Sequence, residues 1–199
     1  MSMEYLQKNK VILFDFFGVI SSEVSPVFFK RYFNEEEAKI IKEEIMSKGD
    51  KGELSEEEIY DLISKRVNVT PLKVKEDFKE LIHINNELVT YIKELKKEYK
   101  VYLLSNAISS FLNRILKENN LYELFTKVYI SSEMKLIKPN KEFFNYVIEK
   151  ENLNPSLCIM IDDNKKNIEG AIKCNLNGVI FTNNKDLFTE LDIFLKNED

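Results

Sequence analysis

Apolar residues recur along this chain in two rhythms. The first is a set of short, largely apolar runs: Val11 to Asp15, Val101 to Ser105, Lys127 to Ile130, Leu157 to Asp162 and Gly178 to Phe181. Runs of that length and character predict strands buried on both faces. The second repeats at three and four residues. Ile108 to Asn119 carries Phe111, Leu112, Ile115 and Leu116. Asn140 to Lys150 carries Phe143, Phe144, Val147 and Ile148, with Pro139 suited to its first turn. Lys165 to Cys174 presents Ile168, Ala171 and Ile172, and Lys185 to Leu195 presents Leu187, Leu191 and Phe194. Strands alternating with such helices predict an α/β fold with a Rossmann-like parallel sheet.

About 85 residues separate the first two strands, and they read as helix throughout. Val27 to Phe33 is one short candidate. Glu35 to Ser47 is another, with Ile40, Ile41 and Ile45, and Lys48 to Gly52 breaks its pattern. Ser55 with Glu58 forms a capping box ahead of Ile59, Leu62 and Ile63. Thr70 and Pro71 open Leu72 to Ile82, and Asn86 is placed to cap Glu87 to Glu98. A parallel crossover needs only a dozen or so residues. The surplus therefore predicts a helical cap over residues 21–91, inserted into a core of residues 1–20 and 92–199. Its place after the first strand puts it over the carboxyl ends of the sheet, where open α/β folds bind ligands.

Charge and composition narrow the partners. The 199 residues carry 34 acids against 29 bases, a net charge of -5, with no basic block, which argues against nucleic acid as a ligand. Cys158 and Cys174 are the only cysteines and read as buried thiols; His83 is the sole histidine and reads as structural. The N-terminus lacks a signal-peptide profile, and no apolar run approaches about 18 residues. The expectation is a cytoplasmic protein without membrane partners, a monomer or weak homodimer.

The strand ends carry the candidate chemistry. Strand one ends in Asp15 and turns at Gly18; strand two ends in Ser105 and Asn106; the loop after strand three leads to Lys138; strand four ends in Asp162 and Asp163. Asn106, Ser109 and Asn164 also read as helix caps. Converging carboxylates raise one another's pKa unless a cation neutralises them, and a small all-oxygen site suits Mg2+.

This set resembles the haloacid dehalogenase-like hydrolase superfamily, in the branch with a small helical cap. Asp15 to Ile20, Ser105–Asn106, Lys138–Pro139 and Asp162–Asp163 match its four motifs in order, across nearly the whole chain. Ile161 to Ala171 looks closest to members resembling sugar-1-phosphate phosphatases. The resemblance implies a Mg2+-dependent phosphomonoester hydrolase acting on a small phosphorylated metabolite. Asp15 would be the nucleophile, Lys138 the neutralising cation, and Ser105, Asn106 and Gly18 the phosphate-binding groups. Asp15, Asp162, Asp163 and the Phe17 backbone carbonyl would hold the metal. Phe17 stands where typical family phosphatases carry a second aspartate that moves protons. That substitution leaves turnover in doubt, and it favours a good leaving group such as a sugar 1-phosphate, or a cap acid such as Glu23 or Glu53. Two alternatives follow: a weak or inactive ligand-binding protein of the same fold, and a haloacid dehalogenase. The dehalogenase would need a cap arginine, and Arg31 and Arg66 are the only arginines in the cap.

Overall fold

The computed structural model describes residues 9–196. The N-terminal reading above falls largely on residues 1–8, outside the described residues. Strands β1 (Val11–Phe14), β2 (Lys100–Ser105), β3 (Lys127–Ile130), β4 (Cys158–Asp162) and β5 (Asn177–Ile180) form one parallel sheet. Their order is β3-β2-β1-β4-β5, so β1 is central. Each strand lies within one residue of its predicted ends. Alternation divides the side chains between two cores. Ile12, Phe14, Leu103 and Ile161 enter one, and Val11, Leu13, Tyr102 and Met160 the other. Every residue of β1 and β4 is buried, as strands covered by helices on both faces require.

The helices between β1 and β2 are α1 (Ser25–Phe29), α2 (Glu35–Ile41), α3 (Ser47–Asp50), α4 (Glu56–Val67), α5 (Pro71–Glu80) and α6 (Asn86–Leu95). Capping boxes start two of them, Asn34 with Glu37 and Ser55 with Glu58, and Thr70 caps α5 ahead of Pro71. Two boundaries differ from expectation. Asn85 rather than Asn86 caps α6, its side chain accepting from the Leu88 amide at 3.1 Å. The chain also stays helical to Asp50, through a π-helical turn at Lys42–Met46. Gly49 explains the second. A Cβ there would stand 2.8 Å from Ile108 Cγ1 and 3.1 Å from Ile59 Cδ1. Close packing of cap on core thus offsets the poor helix propensity of glycine.

The cap hangs from a narrow strap. Ser21 bridges Ile84 in antiparallel fashion. The Ser22 amide donates to the His83 carbonyl at 3.0 Å, and the Asn85 amide to the Ile20 carbonyl at 2.9 Å. His83 thus serves the strap through its main chain. The remaining helices are α7 (Ser109–Glu118), the short α8 (Ser131–Met134), α9 (Lys141–Lys150), α10 (Lys165–Ile172) and α11 (Asn184–Lys196). They cover the sheet with the apolar stripes read from sequence. Both cysteines are buried and unpaired with each other. No helix among the described residues is long and apolar enough to cross a membrane.

Candidate active site

Parallel pairing brings the acids together. Phe14 lies opposite Ile161 in the β1–β4 register, so the next residues, Asp15 and Asp162, leave the sheet side by side. The Asp15 amide still donates to the Ile161 carbonyl at 2.9 Å, which fixes where its carboxylate starts. Lys138 reaches between them, its Nζ 3.0 Å from Asp15 Oδ1 and 2.6 Å from Asp162 Oδ2. All three residues are buried. Burial pushes the Asp15 carboxyl well above the usual carboxylate range; Lys138 opposes this and Asp162 adds to it. Burial pulls the Lys138 ammonium down, but the two carboxylates outweigh it and leave its pKa raised. A buried ion pair is sustained only when its remaining hydrogen bonds are made. Here Asn167 Nδ2 donates to both Asp162 oxygens at 3.0 Å, and the Asn164 amide donates to Oδ1 at 2.9 Å.

Asn106 fixes the lysine from behind. Its Nδ2 donates to the Lys138 carbonyl at 2.8 Å, and its Oδ1 accepts from the Lys138 amide at 2.9 Å. The expectation that Asn106 and Ser109 are helix caps is therefore corrected. The Asn106 side chain clamps a loop 32 residues away, and Ser109 lies inside α7, its amide donating to Ser132 Oγ. Asn164 does cap α10. Ser105 is fully buried at the end of β2, and its Oγ has no hydrogen-bond partner among the described residues. A buried, unpartnered hydroxyl at a strand end has capacity for a ligand oxygen.

Asp163 is the half-buried member of the acid set. It lines the cavity while Asp162 lies behind it, and burial with the charges of Glu23 and Asp162 raises its pKa to about 6. Gly18, at φ +83°, lets it lie there: a Cβ on Gly18 would stand 2.3 Å from Asp163 Oδ2. Asp15, Asp162 and Asp163 each offer an oxygen, and these oxygens lie within 4.8 Å of one another. The all-oxygen donor set, the glycine gap beside Asp163 and the unpartnered Ser105 hydroxyl fit a hard divalent ion with a phosphoryl group beside it.

That cluster corrects the expectation that Phe17 leaves turnover in doubt. The acids Asp15, Asp162 and Asp163 are all present in one cluster, and Phe17 takes the place of none of them. Its side chain is part of the cavity wall, 5.0 Å edge-to-face from Phe16 and stacked 5.9 Å from Phe111.

The cavity, about 230 Å³, lies between core and cap. Asp15, Asn106, Lys138 and Asp163 line its floor; Glu23, Lys42 and Asp50 come from the cap side; Phe17, Phe78 and Phe111 form an apolar wall. Glu23 lines it as expected and Glu53 does not. Neither cap arginine does: Arg31 faces Asp77 at 3.9 Å and Arg66 faces Glu44 at 3.0 Å. Asp50 and Lys42 were missed from sequence. Asp50 sits in the segment that reads as a break between helices, and nothing local distinguishes it from the other surface acids.

Comparison with known proteins agrees with this geometry. The family model described as haloacid dehalogenase-like hydrolase matches residues 12–181. A predicted HAD-like family hydrolase from Porphyromonas gingivalis superposes with a TM-score of 0.78 at 23% identity, over 94% of this chain and 98% of that one. A HAD family enzyme from Bacteroides thetaiotaomicron, solved in complex with magnesium and inorganic phosphate, gives 0.74 at 25% identity, over 90% and 98%. Among curated proteins, the drimenol cyclase drtB of Aspergillus calidoustus is 26% identical over 145 residues, 69% of this chain. The matched region spans only 28% of that relative's length.

Proposed function

Because this chain belongs to the haloacid dehalogenase-like hydrolase family, we propose that it is a magnesium-dependent phosphomonoester hydrolase acting through an aspartyl-phosphate on Asp15. The observation that carries this reading is the buried Asp15–Lys138–Asp162 chain, with Asp163 completing a three-acid cluster. Asp15 is the nucleophile: its carboxylate attacks phosphorus and the bond to the leaving oxygen breaks. Lys138 lowers the repulsion between that carboxylate and the phosphoryl oxygens. Ser105 Oγ donates to one of those oxygens, which gives the orphan hydroxyl its partner. Asp15, Asp163 and the Phe17 carbonyl would hold magnesium, which when bound would offset the charge of the phosphoryl group. Asp162 offers an oxygen to the same cluster, yet both its oxygens already accept from Lys138, Asn164 or Asn167. We assign it to orienting Lys138 more than to binding the ion. Water then attacks the phosphorus, regenerating Asp15 and releasing phosphate.

The substrate is a small phosphorylated metabolite with a hydroxylated leaving group, such as a sugar 1-phosphate. Glu23, Lys42 and Asp50 on the cap side supply hydrogen bonds for hydroxyls, and the cavity volume suits a monosaccharide. The cap is residues 21–91, carried on the remainder of the chain. The test is phosphate release from a panel of sugar phosphates and acetyl phosphate, with magnesium, with chelator and with D15N. Release that needs magnesium and disappears in D15N supports the reading. No release from any of them points to a binding protein, and metal-independent halide release from a 2-haloacid points to a dehalogenase.

A further inference from the structure

Neither of the two cap-side carboxyl groups of the cavity, Glu23 and Asp50, takes part in the bond-making and bond-breaking steps above, and Asp50 is the one whose main chain is held against the core. Asp50 ends α3, on the cap, and lines the same cavity as Asp15, Lys138 and Asp163. Its main chain is pinned to the core. Ser131 Oγ donates to the Asp50 carbonyl at 2.6 Å and accepts from the Ala107 amide at 3.0 Å, so one buried hydroxyl joins the cap to the first turn before α7. Gly49, immediately before it, packs against Ile108 of the core. Asp50 therefore lines the cavity on a main chain held by contacts between cap and core.

We propose that Asp50 is the proton-transfer residue of this site, giving its proton to the leaving oxygen and later taking one from the attacking water. The assignment rests on the phosphohydrolase reading above. As Asp15 bonds to phosphorus and the ester bond breaks, the Asp50 proton passes to the departing oxygen, which leaves as an alcohol. The Asp50 carboxylate then removes a proton from water as that water attacks phosphorus. The bond to Asp15 breaks, inorganic phosphate leaves, and Asp50 is protonated again. Ester and water become alcohol and phosphate, with no other reactant.

The electrostatic surroundings suit the task. Burial raises the Asp50 carboxyl to about 7; Lys42 and Lys138 pull it down and Glu23 pushes it up. Asp15, Asp163 and Lys166 are the other charged groups that line the cavity. A group that must both give and take a proton works best with its pKa near the working pH. Of the remaining cavity acids, Asp15 is spent as the nucleophile and Asp163 on the metal. Glu23 acts on Asp50 by charge.

The experiment compares wild type, D50N and E23Q on glucose 6-phosphate and on p-nitrophenyl phosphate, with magnesium, across pH 5–9. In D50N, turnover of glucose 6-phosphate falls about 10²–10⁴-fold, the range typical of lost acid–base assistance. A stoichiometric burst of p-nitrophenolate persists in D50N and is followed by slow turnover, because that leaving group needs no proton and only water attack is impaired. In E23Q, whose Asp50 is intact, the falling limb of the pH profile near 7 moves to lower pH. Equal rates for D50N and wild type, loss of the burst in a D50N that still folds by circular dichroism, or an unmoved limb in E23Q each overturns the assignment. Absence of magnesium-dependent release from wild type on both esters overturns the underlying reading as well, which separates the two failures.

Discussion

Glu56 is the most informative place to perturb the joint between cap and core. It begins α4 on the cap and is 3% exposed, yet its partners come from both bodies. Its Oε1 accepts from Arg114 Nη2 and from the Tyr60 hydroxyl, each at 2.6 Å. Its Oε2 accepts from Ser110 Oγ at 2.6 Å and Arg114 Nη1 at 3.2 Å. Glu56→Gln keeps the shape and turns one acceptor into a donor that faces donors. Breaking a buried ion pair on one side costs roughly 3–5 kcal/mol. Arg114 is a third exposed and recovers water when released, so the expected loss is about 3 kcal/mol, at the low end. For a chain of this size that corresponds to a fall in Tm of roughly 6–12 °C. Thermal melts of E56Q, R114M and the double variant would give the coupling directly. The sign with pH follows from the depressed Glu56 pKa, where burial is outweighed by the bonds from Arg114, Ser110 and Tyr60. A depressed carboxyl stabilises the fold above its unfolded pKa and ceases to do so as pH falls through the folded value. The gap between wild type and E56Q should therefore close below the ordinary glutamate range. A Tm change under about 2 °C, strict additivity with R114M, or a gap that widens in acid would refute the account.

Three further outcomes are expected. K138M leaves two buried carboxylates beside each other without a cation, so without magnesium at neutral pH it loses roughly 3–5 kcal/mol in denaturant titrations and recovers as pH falls and one carboxyl protonates. A K138M that is as stable as wild type at pH 7 would contradict this. G18A forces a side chain into the space of Asp163 at a positive φ, and magnesium affinity by calorimetry should drop at least about tenfold, about 1.4 kcal/mol, with the sheet unchanged. S105A removes a hydroxyl with no partner among the described residues, so stability stays within about 0.5 kcal/mol while kcat/KM on phosphate esters falls. A large loss of stability in S105A would show that the hydroxyl serves the fold.

Much of the core was legible because its signals are local. A strand buried on both faces must be apolar for its whole length, so β1 and β4 announce themselves, and the polar residues that follow them fall at the sheet's carboxyl edge. Asp15, Ser105, Asp162 and Asp163 could be placed there without knowing strand order. The roles within the cluster depend on contacts between distant residues. Asn106 reads as a cap because asparagine after a strand commonly is one, and only the fold shows it holding Lys138. Phe17 reads as a missing acid when position alone is weighed, whereas in the fold its ring completes a wall and the acids stand elsewhere. Asp50 was invisible for a related reason. Helical periodicity reports which face of a cap helix is buried, but not which of its ends meets another body.

The strap at Ser21 and Ile84 has a consequence for how such a molecule diversifies. The chain departs from the central strand and returns to its immediate neighbour, and these two crossings lie side by side, closed by main-chain hydrogen bonds together with those of the Ser22 and Asn85 side chains. Everything beyond them can grow, shrink or be exchanged while the ribbon stays shut and the sheet keeps its register. The cap segment can in this way vary in length and sequence without re-solving the folding problem of the sheet.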